Sequence, residues 1–523
     1  MDTKEEEKAV AGTIADPELT SLDSASLIKG DILGQESTDP VLNAKMKLVN
    51  DTIEEIGWTG YQTKLFFLNG FGYAVDSLIL LIQSITASQA ALEFRATFAE
   101  GQTIAVYVGM LVGALFWGLS ADVIGRKFAF NCSLMISSVF AIAAGASPNW
   151  EVLGLFNCLS AFGSGGNLVL DTAVFLEYLP GQYQYLLTLL AAWWGVGQLT
   201  VGLLAWAFMP KWSCLDSDSC TWQNNKGWRL VWFVSGALVL VMSVLRVTVI
   251  RLKETPKFLL GEGKDDEVVE VLSSIAVKYN RPCSLTVERL QACGVTGQPD
   301  GRRASLSHAR NKWSIGEITV HFRGLYATKR IGISTSLIWF SWLLIGLAYP
   351  LYNVFLPIYL KTRGAQFGET SEYIRWRNYA LVNMAGIFGP IPAAYMAKSR
   401  YFWGRKGTMI IGAILTSIFF FAYTQVRSAD QNVAFTVVVN FLLNIYYGTL
   451  YAFTPEVLPS AHRGTGNGIA IALNRFMGIM SAVIAHFADT ATSVPIYICA
   501  ALYIVMAIVA ACFPFEPHGR RSS

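Results

Sequence analysis

Three charged residues stand inside long apolar stretches of this chain: Asp76, Asp171 and Arg475. An unpartnered charge in hydrocarbon costs at least about 2.5–3.5 kcal/mol, so each needs a partner or a task. A guanidinium presents a planar fork of donors that fits a carboxylate in two hydrogen bonds, which makes Arg475 the candidate anchor for an acidic solute. A carboxyl taken out of water favours its protonated form. Asp76 and Asp171 are therefore candidate proton sites, whose neutralisation would couple proton entry to solute entry. An ion pair that merely holds helices together accounts for the same three residues.

Around these charges the polar residues fall at helical spacing. Asn69, Tyr73, Asp76 and Gln83 share one face, and Asn167 lies one turn from Asp171. Trp339, Trp342, Gly346, Tyr349 and Asn353 form a second stripe, and Asn440, Asn444, Tyr447 and Tyr451 a third. Asn474 precedes Arg475, while Trp193, Trp194 and Gln198 offer an aromatic wall. The candidate solute contacts are Tyr73, Asn167, Trp193, Tyr349, Asn353, Asn444, Tyr447, Asn474 and Arg475. Ordinary packing explains aromatic stripes equally well, and amides also bond between helices for about 0.6–2 kcal/mol each.

Such residues need a membrane scaffold to position them. The chain has 523 residues, 53% of them hydrophobic and only 15% charged, against about a quarter charged in soluble domains. Its apolar blocks are each about 20 residues, enough to cross a bilayer core of about 30 Å. Twelve spans are predicted near 65–87, 102–121, 128–147, 151–175, 185–208, 228–250, 331–359, 378–397, 408–425, 433–453, 465–488 and 494–514. The fold class is thus an all-α membrane protein. A polar tail (1–64), a six-helix bundle (65–250), a central loop (251–330), a second bundle (331–514) and a short C-terminus (515–523) follow one another. Lys and Arg concentrate on the side of the tail, central loop and C-terminus, including Arg126, Lys127, Lys398, Arg400, Arg405, Lys406 and Arg463 in short connections. The positive-inside rule assigns that side to the cytosol, although the connection after span four carries no basic residue. Cys214 and Cys220 fall on the opposite side, where an oxidising compartment would allow a disulfide; two free thiols remain the other reading.

The two bundles echo one another at an offset of 279 residues: Gly125-Arg126-Lys127 with Gly404-Arg405-Lys406, and Glu177-x-x-Pro180 with Glu456-x-x-Pro459. The stretch Gly118-Leu119-Ser120-Ala121-Asp122-Val123-Ile124-Gly125-Arg126-Lys127 resembles the loop signature of the major facilitator superfamily. Glu254-Thr255-Pro256-Lys257 and Glu456-x-x-Pro459-x-x-x-Arg463-Gly464 are similar to sugar-porter motifs. Ile56-Gly57-Trp58-Thr59-Gly60-Tyr61-Gln62 leading to Asp76, with Gly165-Gly166-Asn167 leading to Glu177, resembles the synaptic-vesicle-protein-related branch, which includes nicotinate-type carriers. The long tail and loops look most like fungal members. The resemblance implies the major facilitator fold of two six-helix pseudo-repeats, with spans one, four, seven and ten lining a central pathway. It also implies a two-state cytosolic gate at Asp122, Arg126, Glu177, Glu456 and Arg463, with Asp122 and Arg126 close enough to pair if the helix continues. Anchoring of the headgroup interface is the plainer role for these charges. The chain departs from the pattern at Gln184, Tyr401 and Ile79, where arginine, aspartate and a second acidic residue are usual.

The expected function is secondary active transport of a small organic solute by alternating access. A proton-coupled monocarboxylate or nicotinate-like acid fits Arg475; a sugar or polyol carrier and an exporter of a secondary metabolite are the alternatives. A transporter-like sensor would need a longer C-terminal output segment. A membrane enzyme would need a metal pair, a nucleophile elbow or a P-loop, and the five His form no cluster. No cofactor, metal or nucleic-acid partner is expected, only a solute, the bilayer and a proton gradient. The expected state is a monomer in the plasma membrane. Arg302-Arg303-Ala304-Ser305 reads as a phosphorylation site or a solvated basic turn.

Overall fold

The structure is a computed structural model and describes residues 40–98, 100–124, 126–250, 253–294, 322–366, 368, 371–459, 462–487 and 494–517. Twelve helices among these are long and apolar enough to cross a membrane. They are Gly60–Phe94, Gly101–Ser120, Arg126–Gly145, Trp150–Glu177, Gly181–Phe208 and Lys226–Thr248, then Lys329–Val354, Glu372–Lys398, Gly404–Tyr423, Ala429–Val457, Arg463–Phe487 and Val494–Ala511. They are called spans one to twelve below.

Span one is longer than hydropathy alone suggests, 35 residues against the expected 65–87. The reason is local: Thr59 caps its first turn in a reciprocal box with Gln62, and the helix runs on until Arg95 turns left-handed at φ 52°. Span four is interrupted at Gly165-Gly166, where only glycine fits: a Cβ at Gly165 would strike the Met110 backbone and one at Gly166 the Trp117 ring. Span seven passes into a widened turn, Pro350–Val354, where proline removes a backbone donor.

The tail and central loop differ from their expected character as polar connectors. Pro40–Ile56 is a helix that buries Met46, Val49, Ile53 and Ile56 on one face. It packs on Pro256–Gly261 and Asp265–Lys278 of the central loop, and Lys45 reaches Asp265 at 2.6 Å. Arg302-Arg303-Ala304-Ser305 lies outside the described residues.

The bundles meet chiefly where span two lies along span eleven and span five along span eight. Close approaches of backbone mark these seams. Gly118 meets Gly468 near the end that carries the central loop, and Tyr107 meets Gly478 towards the other. Gly195 meets Ile387, and Gly202 meets Ala380 one helical stretch further on. At the end away from the loop, Cys214 and Cys220 form a disulfide. Its loop is tied to span one by Gln89, which donates to Cys214 O at 3.2 Å and accepts from Cys214 N at 2.9 Å.

Candidate solute site and gate

Midway along span one, Asp76 Oδ2 accepts from Arg475 Nη2 of span eleven at 2.7 Å, with the two side chains 0% and 1% exposed. The pair joins one bundle to the other. The hydroxyls of Tyr107, Tyr447 and Tyr451 lie within electrostatic range of the guanidinium. The second expected carboxylate has a partner of another kind. Asp171 Oδ1 accepts from Arg246 of span six at 2.6 Å, and Arg246 also donates to Phe130 O and lies over the Phe130 ring. All of these belong to the first bundle. Arg246 falls within the expected span 228–250, but sequence reasoning gave it no role.

Beside the first pair stands an aromatic cluster. Tyr447 and Tyr451 share a hydroxyl–hydroxyl bond of 2.8 Å, and Tyr451 packs edge-on to Trp342 with centroids 4.5 Å apart. Tyr349 lies 5.0 Å from Tyr447 and accepts from Trp194 Nε1 at 2.8 Å and from Gln198 Nε2. Tyr73 completes the ring beside Tyr451 at 5.9 Å. Residues from spans one, five, seven, ten and eleven thus converge. Asn444 sits at the edge of this group, donating to Asn440 O at 2.7 Å and facing Gly386 together with Gln198. Asn474 donates to Trp342 O at 3.4 Å, a bond between helices. Asn353 is buried with no partner for either amide atom among the described residues, and Asn69 is the same.

Two expected contacts lie elsewhere. Trp193 points to the outer side of span five, against Phe67, Phe71 and Gly70 of span one, and its neighbour Trp194 supplies the aromatic wall instead. Consecutive residues on a helix differ by about 100°, so only one of two adjacent tryptophans can face the centre. Asn167 accepts from Ser133 of span three at 2.9 Å and belongs to the packing of the first bundle.

At the loop end, Arg126 pairs with Glu177, and the backbone N–H groups of Arg126 and Lys127 donate to the Glu254 carboxylate at 3.0 and 3.4 Å. The second bundle repeats this. Arg405 pairs with Glu456, and Arg405 N and Lys406 N donate to Glu516 at 3.2 and 3.0 Å. Arg405 also crosses the seam, donating to Thr188 Oγ1 at 2.7 Å and to Gln184 O at 3.1 Å. The side chain of Asp122 lies outside the described residues; the helix around it ends at Ile124 and another opens at Arg126. Arg463 is buried and reaches Leu458 O of its own bundle at 3.5 Å.

Twelve spans in two repeats, packed around a polar centre, are the architecture of a carrier that works by alternating access. The family model described as Major Facilitator Superfamily matches residues 65–482, and the chain belongs to that family of transporters. A protein of the fungus Ceriporiopsis subvermispora named MFS siderochrome iron transporter 1 is 40% identical over 94% of both chains. The niacin transporter NiaP of Acinetobacter baylyi is 25% identical over 83% of this chain and 88% of its own. The solved proton:xylose symporter XylE bound to 6-bromo-6-deoxy-D-glucose superposes with a TM-score of 0.64 at 17% identity, covering 88% of this chain and 98% of that one.

Proposed function

We propose that this transporter carries a small organic acid together with a proton, the acid on Arg475 and the proton on Asp76. The observation that carries the reading is the Asp76–Arg475 ion pair, buried at mid-span and shared between the two bundles. While Asp76 is charged, it occupies the guanidinium. A proton on Asp76 releases Arg475 to a solute carboxylate, and the site then holds one positive and one negative charge, as before. One proton therefore accompanies one monocarboxylate without net charge left in the low-dielectric centre. Trp194, Trp342, Tyr349, Tyr447 and Tyr451 offer faces against which a flat ring can stack. The name of the 25%-identical niacin transporter agrees with a pyridine carboxylate as the solute.

Asp171 is assigned a holding role, because its partner Arg246 travels with it in the same bundle. The gate is assigned to the loop-end pairs Arg126–Glu177 and Arg405–Glu456, with Arg405 as the contact that must leave Thr188 when the halves part. Tail and loop are assigned to the cytosolic side by the basic-residue bias, and the plasma membrane is taken as the default membrane.

A sugar or polyol is the second reading, and the unpartnered amides of Asn69 and Asn353 favour it, since hydroxyls need such donors and acceptors. The name of the 40%-identical fungal relative makes a ferric siderochrome a third cargo for the assay. The test is uptake by reconstituted vesicles under an imposed proton gradient, with labelled nicotinate, xylose and a ferric siderochrome in separate arms. Gradient-dependent nicotinate uptake that disappears in Arg475→Ala supports the proposal. Xylose uptake indifferent to both the gradient and that substitution overturns it.

A further inference from the structure

The repeat relation exposes an unexplained difference at the loop end. Positions 122–124 of the first bundle read Asp-Val-Ile, and their counterparts in the second read Tyr401-Phe402-Trp403. Tyr401 is 94% exposed and Trp403 77%. Burial does not hold these rings outward; the backbone does. Trp403 sits at φ 56° and Gly404 at φ 64°, so two consecutive left-handed residues reverse the chain before span nine. For a bulky aromatic such a conformation is strained, which marks the position as one with a task.

Directly beneath the ring of Trp403 runs a groove of about 470 Å³ between spans nine and twelve, lined by Gly404, Lys406, Ile410, Ala511 and Glu516. The stretch 398–406 carries Lys398, Arg400, Arg405 and Lys406 and no acid. Lys406 Nζ gives one hydrogen bond to Phe513 O at 2.6 Å; an ammonium has three donors, so two remain for an anion. The Glu516 carboxylate is turned onto the first N–H groups of span nine, where the helix terminus offsets about half of its charge. The geometry points to a site for an anionic glycerophospholipid, with the phosphate on Lys406, one acyl chain in the groove and Trp403 over the glycerol region. Trp and Tyr favour this depth of a bilayer. The loop end is also the end that the basic-residue bias assigns to the cytosol, the leaflet richer in anionic lipid. The corresponding stretch of the first bundle, 119–127, sets Asp122 against Arg126 and Lys127 and so carries a much weaker positive charge for the same guest.

The site is tested on the full chain in phosphatidylcholine vesicles that contain a minor fraction of brominated lipid. The emission of Trp403 is taken as the difference between wild type and Trp403→Phe. Brominated phosphatidylglycerol is expected to quench Trp403 with about fivefold tighter apparent association than brominated phosphatidylcholine, the effect of one basic residue near the surface. Lys406→Gln should abolish that preference and Lys406→Arg should keep it. Equal quenching by the two lipids overturns the proposal and leaves an unselective interfacial anchor. A preference that survives Lys406→Gln overturns the assignment of the phosphate. If Lys406→Gln does not fold, the headgroup comparison on wild type and on Lys406→Arg still decides.

Discussion

Among the buried ion pairs of the described residues, two of nearly equal length do different work. Asp76–Arg475, at 2.7 Å, joins span one to span eleven and so ties one bundle to the other. Asp171–Arg246, at 2.6 Å, joins span four to span six inside one bundle, with the Phe130 carbonyl and ring completing the surroundings of the arginine. When two rigid halves rock, contacts within a half persist and contacts between halves are remade. The pair that can exchange partners during a cycle is therefore the one across the seam. Burial and distance are alike in the two cases; connectivity separates them.

The largest expected effect falls on the fixed pair. Asp171→Asn leaves Arg246 buried without its counter-charge and should cost about 3–5 kcal/mol, seen as loss of monodisperse protein in detergent. The double variant Asp171→Asn, Arg246→Gln should recover most of that loss, because neither charge is then stranded. If the single variant is as stable as wild type, the holding role is wrong. Next comes Gly72→Ala. A methyl group there would fall on the Asp171 carboxylate, so a loss of about 1–3 kcal/mol in thermal unfolding is expected. A smaller effect belongs to the seam: Tyr349→Phe removes the acceptor shared by Trp194 and Gln198 and should weaken solute binding by about 1 kcal/mol, near fivefold in apparent KM. The smallest is Trp193→Phe, whose ring packs on span one outside the cluster, so apparent KM should stay within about twofold of wild type. A larger change there would return Trp193 to the site.

Much of the fold was legible because membrane spans announce themselves by length and composition. The offset of 279 residues set Arg405 and Glu456 at the places of Arg126 and Glu177, but the sequence pointed to Arg463 for the gate and to Asp122 as the neighbour of Arg126; the structure instead pairs Arg126 with Glu177 and Arg405 with Glu456. Arg246 escaped because an arginine in the last turns of a span reads as one that snorkels to the interface. A signal was present: Asp171 at mid-helix demanded a cation, and Arg246 is flanked by Leu245 and Val247 within the apolar run. The helix Pro40–Ile56 escaped for another reason. Its charged residues drew the eye, while Met46, Val49, Ile53 and Ile56 at three-four-three spacing already spelled a buried face. The choice between Trp193 and Trp194 was not legible from the two residues alone. It follows from neighbours far away in the chain, Phe67 and Phe71 on one side and Tyr349 on the other.

The central claim, that Asp76 carries the proton and Asp171 does not, is tested most directly in vesicles loaded with labelled nicotinate. Asp76→Asn is compared with the double variant Asp171→Asn, Arg246→Gln in two assays, exchange at equal pH and accumulation driven by a proton gradient. The account predicts that Asp76→Asn exchanges but no longer accumulates, whereas the double variant does both. Accumulation that survives in Asp76→Asn, or is lost in the double variant while its exchange remains, would contradict it.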